Sequence, residues 1–393
     1  MIRVDAHTLD AFRSAIAAST RVAIDTEFHA ERRYHPQLYL IQVATPDGRT
    51  WIIDPLDAGI LGAAVETLAE PDWVVHGGAQ DLRLLAPLCG RLPAQVHDTQ
   101  IAAAFAGHRY PAGFGELTER WLGVVVDKGE SLSDWSRRPL TDEQLRYAAA
   151  DVSSLLALWD AIVAAATAAG FGAIVADACR EARAAAGEPI PDWRRIPAAV
   201  VLDARGAAIL DALVRWREGA ASETDLPARA LVSDAALIDL ARRRPTDRAG
   251  LLANRKTPKP VVRSHGDALL AAIRAGLALP EDALPAVVPH RSGAARRVAV
   301  LAALCEIAGD RAGWAHALVT PRSVLDAIAA HPPGSRAELA GRWAQWQDAT
   351  AGDLLWAALQ GRLAITMDSE DAWFYHSFGG KRDEVAESWS ATP

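Results

Sequence analysis

The chain has 393 residues, half of them hydrophobic and 23% charged, which supplies the cores of two or three domains and excludes a mostly disordered chain. Three cysteines, Cys89, Cys179 and Cys305, stand far apart with no CxxC pair, which excludes a disulfide scaffold or a zinc-finger array. The net charge of −8 is uneven: residues 1–179 carry 14 basic and 23 acidic groups, residues 180–280 carry 17 and 12, and residues 281–393 carry 10 and 14. A polyanion therefore meets repulsion over the first third unless cations intervene, and the middle third is the better phosphate-contacting surface. No apolar run approaches the roughly 20 residues that cross a bilayer, and the opening MIRVDAHTLD lacks the apolar centre of a signal peptide. A soluble, cytoplasmic protein without a membrane partner is expected.

Strand and helix signals alternate through the first 180 residues. Val22-Ala23-Ile24 reads as a short strand running into Asp25-Thr26-Glu27-Phe28. Leu38 to Ala44 is a second strand, Trp51-Ile52-Ile53 a third, Trp73 to His76 a fourth and Gln95-Val96-His97 a fifth. Helices are expected at 58–69, from Ala79 to Leu88, from a cap at Asp98 or Thr99 through Phe105, at 113–121, and as one long Ala/Leu-rich helix over 142–168. Three strands close together, followed by strands separated by helices, predict a mixed sheet flanked by helices, an α/β domain over 1–180. Gly187 to Asp192 marks a linker, taken as 181–202. Beyond it no strand pattern appears. Helix-period segments fill 203–283, a Pro-rich linker covers 284–293, a second helical block of similar length covers 294–366, and a polar tail covers 367–393.

The chemistry concentrates in three places. Asp25 and Glu27 sit at i and i+2 on a strand, so both carboxylates project from one face. Such a pair repels itself unless a cation lies between, and oxygen donors suit Mg²⁺ or Mn²⁺. A second D-x-E, Asp368-Ser369-Glu370, lacks the strand setting and reads as a surface loop. Asp81 follows a strand and Gly77-Gly78 and opens a helix, where its charge also simply favours the helix dipole. Tyr147 and Asp151, the only Y-x-x-x-D in the chain, share a helix face. A tyrosine hydroxyl one turn before a carboxylate can orient a metal-associated water; a half-buried Tyr beside a surface Asp is the plainer alternative.

Taken in order, Asp25, Glu27, Asp81, Tyr147 and Asp151 resemble the DEDD superfamily of 3′→5′ exonucleases in its tyrosine-containing branch. DTEF (25–28), PQLYLIQVA (36–44), HGGAQDLRLL (76–85), HDTQIAAAF (97–105) and DKGESLSDWSRRPLTDEQLRYAAADVSSLL (127–156) are similar to the ribonuclease D family over about residues 1–165. The resemblance implies a ribonuclease H-like exonuclease fold for 1–180. Residues 203–283 resemble the all-α HRDC domain that follows the nuclease in that family, and 294–366 resemble a second, degenerate HRDC-like domain.

The family implies a phosphodiester hydrolase that releases 5′-mononucleotides from a free RNA 3′ end, tRNA precursors among its substrates. It implies two divalent metal ions, Mg²⁺ or Mn²⁺. Asp25 would bridge both, Glu27 and Asp151 would complete one and Asp81 would hold the other. Tyr147 would orient the attacking water, since a phenol with a pKa near 10 is a poor bulk base. Phe28, Gln42, His76, Trp135 and Arg138 are candidate substrate contacts, each with an equally good structural reading. Asp98 suits a structural role, and Arg32 and Arg33 suit either a solvated loop or phosphate. Arg242, Arg243, Arg244, Lys256 and Lys259 are candidate RNA contacts of the helical region. No P-loop is present, so no nucleotide cofactor is expected, and a monomer is favoured. Two other functions compete: a DNA-directed exonuclease of the same superfamily, and a catalytically silent RNA-binding protein. On this reading, residues after about 190 serve structured RNA and are dispensable for cleaving short oligonucleotides.

Overall fold

β-branched and aliphatic residues bunch in short runs through the first hundred positions, and those runs build one six-stranded sheet. Its strands are β1 (Ile2–Arg3), β2 (Arg21–His29), β3 (Gln37–Ala44), β4 (Thr50–Ile53), β5 (Asp72–Val75) and β6 (Val96–Asp98), in the order β1-β4-β3-β2-β5-β6. β3 and β4 run antiparallel; β1 with β4, β2 with β5, and β5 with β6 run parallel, so the sheet is mixed. The structure, a computed structural model, describes residues 1–126, 133–186, 191–196, 199, 201–285, 294–330, 332–367 and 373–377.

Helices α1 (Leu9–Ala17), α2 (Ala58–Leu68), α3 (Ala79–Cys89), α4 (Thr99–Ala103), α5 (Phe114–Leu122), α6 (Asp142–Ser153), α7 (Leu155–Ala168) and α8 (Gly172–Ala184) accompany the sheet. β1, α1 and α8 go beyond the sequence expectation, and the single long helix over 142–168 is two helices that meet at Ser154. By length and composition that combined span would suffice to cross a bilayer. Here its apolar side chains Leu155, Leu158, Trp159 and Ile162 are buried in the protein core. A capping box closes the start of α6, with Thr141 and Gln144 each bonding the other's backbone N–H.

The chain divides into two compact units. The first comprises 1–27, 39–187 and 293–393. Its C-terminal part adds α14 (Ala294–Ala312), α15 (His316–Val319), α16 (Arg322–Ala330), α17 (Arg336–Ala340), α18 (Gln345–Gln347) and α19 (Asp353–Leu359) to the elements already given, after the five helices of the other unit. Residues 294–366, expected as a domain of their own, share one apolar core with the exonuclease residues: Val298, Cys305 and Trp346 lie in the same cluster as Phe105, Trp159 and Cys179. Backbone bonds from Ala315 N–H to Ala104 O (2.7 Å) and from Gly107 N–H to Gly313 O (3.2 Å) tie the same two segments. The indole of Trp346 donates to Glu181 at 2.5 Å. Apolar residues on both segments cover Phe105 and its neighbours together, so the two segments are packed through one cluster. At the far end, β7 (Leu363–Met367) and β8 (Trp373–Ser377) pair as an antiparallel hairpin in a stretch where no strand was expected.

The second unit comprises 28–38 and 188–292. It is built on α9 (Ala204–Thr224), α10 (Ala228–Leu231), α11 (Asp234–Arg243), α12 (Arg248–Ala253) and α13 (Lys259–Ala278), around Leu213, Leu237, Leu269 and Ile273. The expected linker 181–202 is shorter than its bounds, since α8 reaches Ala184 and Trp193, Ile196 and Leu202 are buried in this second core. Tyr34 packs on it, and Asp225 at the end of α9 accepts from the backbone of His35 (3.0 Å) and from Arg33 (3.2 Å). Most of the expected linker 284–293 and of the tail 367–393 lies outside the described residues, as do Asp368 to Glu370.

Candidate active site

β2 alternates its side chains, so Ala23, Asp25 and Glu27 share a face. Ala23 lies in one cluster with Val152 and Leu155, which fixes that face as the one covered by α6 and α7. On α6, Ala148 and Val152 turn to the sheet, and Tyr147 and Asp151 each stand one residue earlier, half-buried. The outcome is that carboxylate oxygens of Asp25, Glu27 and Asp151 lie within 4.8 Å of one another. Asp81, in the first turn of α3, is buried beside them, and the Thr26 hydroxyl donates to its carboxylate.

The electrostatics follow from packing like charges in a desolvated place. Burial, then the charges of Asp81, Asp151 and Glu27, drives the Asp25 carboxyl well above the usual range. Burial with the charges of Asp151 and Asp81 pushes Glu27 up to about 8. Burial raises Asp151 to about 7, opposed by a hydrogen bond with Tyr147. Burial raises Asp81 to about 6, opposed by the Thr26 hydroxyl. Tyr147 is also raised, by burial and then by the carboxylates around it, so its phenol keeps its proton. All the charges acting on Asp25 have one sign, and the donor set is all hard oxygen. That set fits divalent cations, which would remove the repulsion the cluster stores.

The approach to Asp81 is set by a turn that needs two glycines. Gly77 has φ +62°, and a Cβ on Gly78 would stand 2.5 Å from the Val75 side chain. The Asp98 carboxylate accepts from Gly77 N–H (2.9 Å), Gly78 N–H (3.1 Å) and Gln100 N–H (2.9 Å), so one side chain pins the turn and caps α4 together. This is the structural role expected of Asp98. His76 bonds the Thr99 hydroxyl at 2.9 Å through Nδ1 and lies 5.5 Å from the Phe114 ring; burial lowers its pKa. Phe28 is half-buried on β2, alternate to Glu27 and on the side of Thr26.

Three candidate substrate contacts are buried or bonded within the protein. Trp135 is 2% exposed, packed among Leu40, Ile52 and Ala148 with its ring 6.1 Å from that of Tyr147. Arg138 has five N–H donors, and all are used. Its Nε and one terminal nitrogen clasp Asp54 (2.6 and 2.8 Å), and the remaining bonds go to the carbonyls of Tyr39, Trp135 and Arg137. Gln42 is fully buried. In the second unit, Arg243 pairs with Asp239 and Arg244 with Asp203, whereas Arg242, Lys256 and Lys259 are exposed. Arg33 is likewise paired, with Asp225. Sequence reasoning missed Thr26 and Asp54. Thr26 lies between two singled-out acids, and its opposite strand parity was the available signal; Asp54 carried none.

Comparison with known proteins agrees with this geometry. A family model described as 3′-5′ exonuclease matches residues 2–165, and one described as HRDC domain matches residues 206–273. Ribonuclease D of Escherichia coli K12 is 37% identical over 276 residues, 69% of this chain and 73% of that protein. Ribonuclease D of Sphingobium indicum is 32% identical over 385 residues, 92% of this chain and 97% of that protein. The crystal structure of Escherichia coli RNase D, an exoribonuclease involved in structured RNA processing, superimposes with a TM-score of 0.74 at 30% identity, covering 92% of this chain and 98% of that one. With relatives of this identity matched over most of both chains, the chain belongs to the ribonuclease D family of 3′→5′ exoribonucleases.

Proposed function

We propose that this chain shortens RNA from a free 3′ end and releases 5′-mononucleotides at the site formed by Asp25, Glu27, Asp81, Tyr147 and Asp151, with tRNA precursors among its substrates. The observation that carries the reading is the convergence of three carboxylates from β2 and α6 within 4.8 Å, with the Tyr147 hydroxyl beside them. Asp25, Glu27 and Asp151 would hold divalent metal, Mg²⁺ or Mn²⁺, and Asp81 would serve a second ion. Bound there, the two ions supply charge neutralisation at the scissile phosphate and acidify a nucleophilic water. Tyr147, kept protonated, donates or accepts a hydrogen bond that orients that water; it is not the bulk base. Thr26 holds the Asp81 carboxylate in place, and the Gly77-Gly78 turn aims α3 at the strand end. The exposed cations Arg242, Lys256 and Lys259 suit phosphate contacts, sequence-independent and weakened by salt. The protein is taken to work as a cytoplasmic monomer.

The test is stepwise shortening of 5′-labelled single-stranded RNA and matched DNA, with Mg²⁺ or Mn²⁺, beside Asp25→Asn. The expected outcome is 3′-end trimming faster on RNA, reduced at least about 10³-fold in the variant, since catalytic metal sites do not survive loss of a shared ligand charge. Faster trimming of DNA would move the substrate to the DNA-directed alternative. RNA retained on a native gel without trimming would leave a silent binding protein.

A further inference from the structure

β3 sets Leu40, Gln42 and Ala44 on one face, and antiparallel pairing places Gln42 opposite Ile52 of β4. Leu40 and Ile52 pack with Trp135, Ala148 and Tyr147, and Ala44 packs in the cluster of Val152 and Leu155. Gln42 therefore lies beneath α6, between the turn that buries Ala148 and the turn that buries Val152. Those two alanine and valine positions are the chain neighbours of Tyr147 and Asp151. β2, the adjoining strand, presents Ala23 and then Asp25 to the same layer.

The layer is largely aliphatic and aromatic, yet Gln42 is 0% exposed and, among the described residues, neither amide atom has a hydrogen-bond partner. A primary amide brings two donors and two acceptor lone pairs, and burying them unbonded is unfavourable, whereas a leucine or methionine of similar size would fill the space without that cost. The polar groups this layer offers are those of the site: Asp25 on the next strand, Tyr147 and Asp151 on the helix above. The indole N–H of Trp135, also buried and without a partner among the described residues, borders the same layer. A stability cost carried at this position is the mark of a group retained for function.

We propose that Gln42 is a positioning residue of the metal site: its buried amide, unpaired here, takes up a carboxylate of β2 or α6 from beneath when a cation binds, without touching RNA. The inference rests on the reading of the site given above. An outer partner of this kind is worth about 10- to 100-fold in metal affinity or turnover.

The experiment compares full-length wild type, Gln42→Met, Gln42→Leu and Asp25→Asn. Melting temperature is measured without metal and during titration with Mn²⁺ alone, and kcat and KM are measured on short RNA. For Gln42→Met the expected result is a metal-free melting temperature raised by about 2–4 °C, a Mn²⁺ midpoint raised about 10-fold or more, kcat lowered about 10- to 100-fold, and KM unchanged. An unchanged Mn²⁺ midpoint and kcat would overturn the proposal, as would melting temperatures lowered in both Gln42 variants, or their failure to fold, because the amide would then serve the fold. Wild-type protein that does not stabilise with Mn²⁺, or Asp25→Asn that still trims RNA, would instead overturn the reading of the site.

Discussion

At the scale of single residues, the site is a place where burial and charge work against the fold. Glu27 at about 8, Asp151 at about 7 and Asp81 at about 6 all bind protons more tightly folded than unfolded, where carboxyls titrate near 4. Between those limits the folded state holds more protons, so stability is greatest at low pH within the window and falls as pH rises from about 4 through about 8. Metal-free protein should therefore melt at a lower temperature at pH 8.5 than at pH 5.5, and Asp25→Asn should lessen that slope only by the proton that buried Asp25 itself binds, because burial is the first cause of the other three shifts. Calorimetry in chelator checks it; a slope untouched by the substitution would show that Asp25 does not bind that proton. The acids were legible from spacing, because strand and helix periodicities put i, i+2 and i, i+4 side chains together whatever the rest of the chain does. Gln42 was not legible in the same way. Its neighbours in sequence show a polar group near a strand end, and only the helix packed over it shows that the group is sealed in.

At the scale of elements, the segment before α6 is fastened by one side chain. Arg138 joins the 134–139 loop to β3 through the Tyr39 carbonyl and to the chain after β4 through Asp54, itself 8% exposed at the side chain. Arg138→Lys keeps the charge and loses the fork, since an ammonium cannot reproduce five planar bonds. Arg138→Ala should destabilise by about 2 kcal/mol by leaving Asp54 and three carbonyls short of partners, with KM for short RNA unchanged. Denaturant unfolding beside steady-state kinetics separates this from an RNA contact, which would raise KM at constant stability. The expectation that Arg138 meets RNA came from its place in a loop before the catalytic helix. Its partner Asp54 lies more than eighty positions away, and no local pattern announces such a pair. The same reason hid the break at Ser154: an uninterrupted Ala/Leu pattern gives no sign that the chain must turn.

At the scale of the whole molecule, the first unit is closed by both ends of the described chain. Val298, Leu301, Cys305, Trp314 and Trp346 complete the cluster that buries Phe105 and Trp159. Ending the chain after residue 292 uncovers that cluster, so the truncated protein should lose cooperative unfolding and short-oligonucleotide cleavage together. This reverses the expectation that everything past residue 190 is dispensable for short substrates. A truncated protein that melts cooperatively and trims short RNA at the full rate would refute it.

The division of the first unit has a consequence for how the protein is made. Ribosomes add about 5–20 residues each second, so the hundred or so residues of the second unit separate the two parts of the first core by about 5–20 s of synthesis. Through that interval the sheet and its carboxylates are already outside the tunnel with Phe105 and Trp159 uncovered. The nascent nuclease stays incomplete while its own messenger is still threaded through the ribosome beside it, and its core is closed only when α14 to α19 arrive.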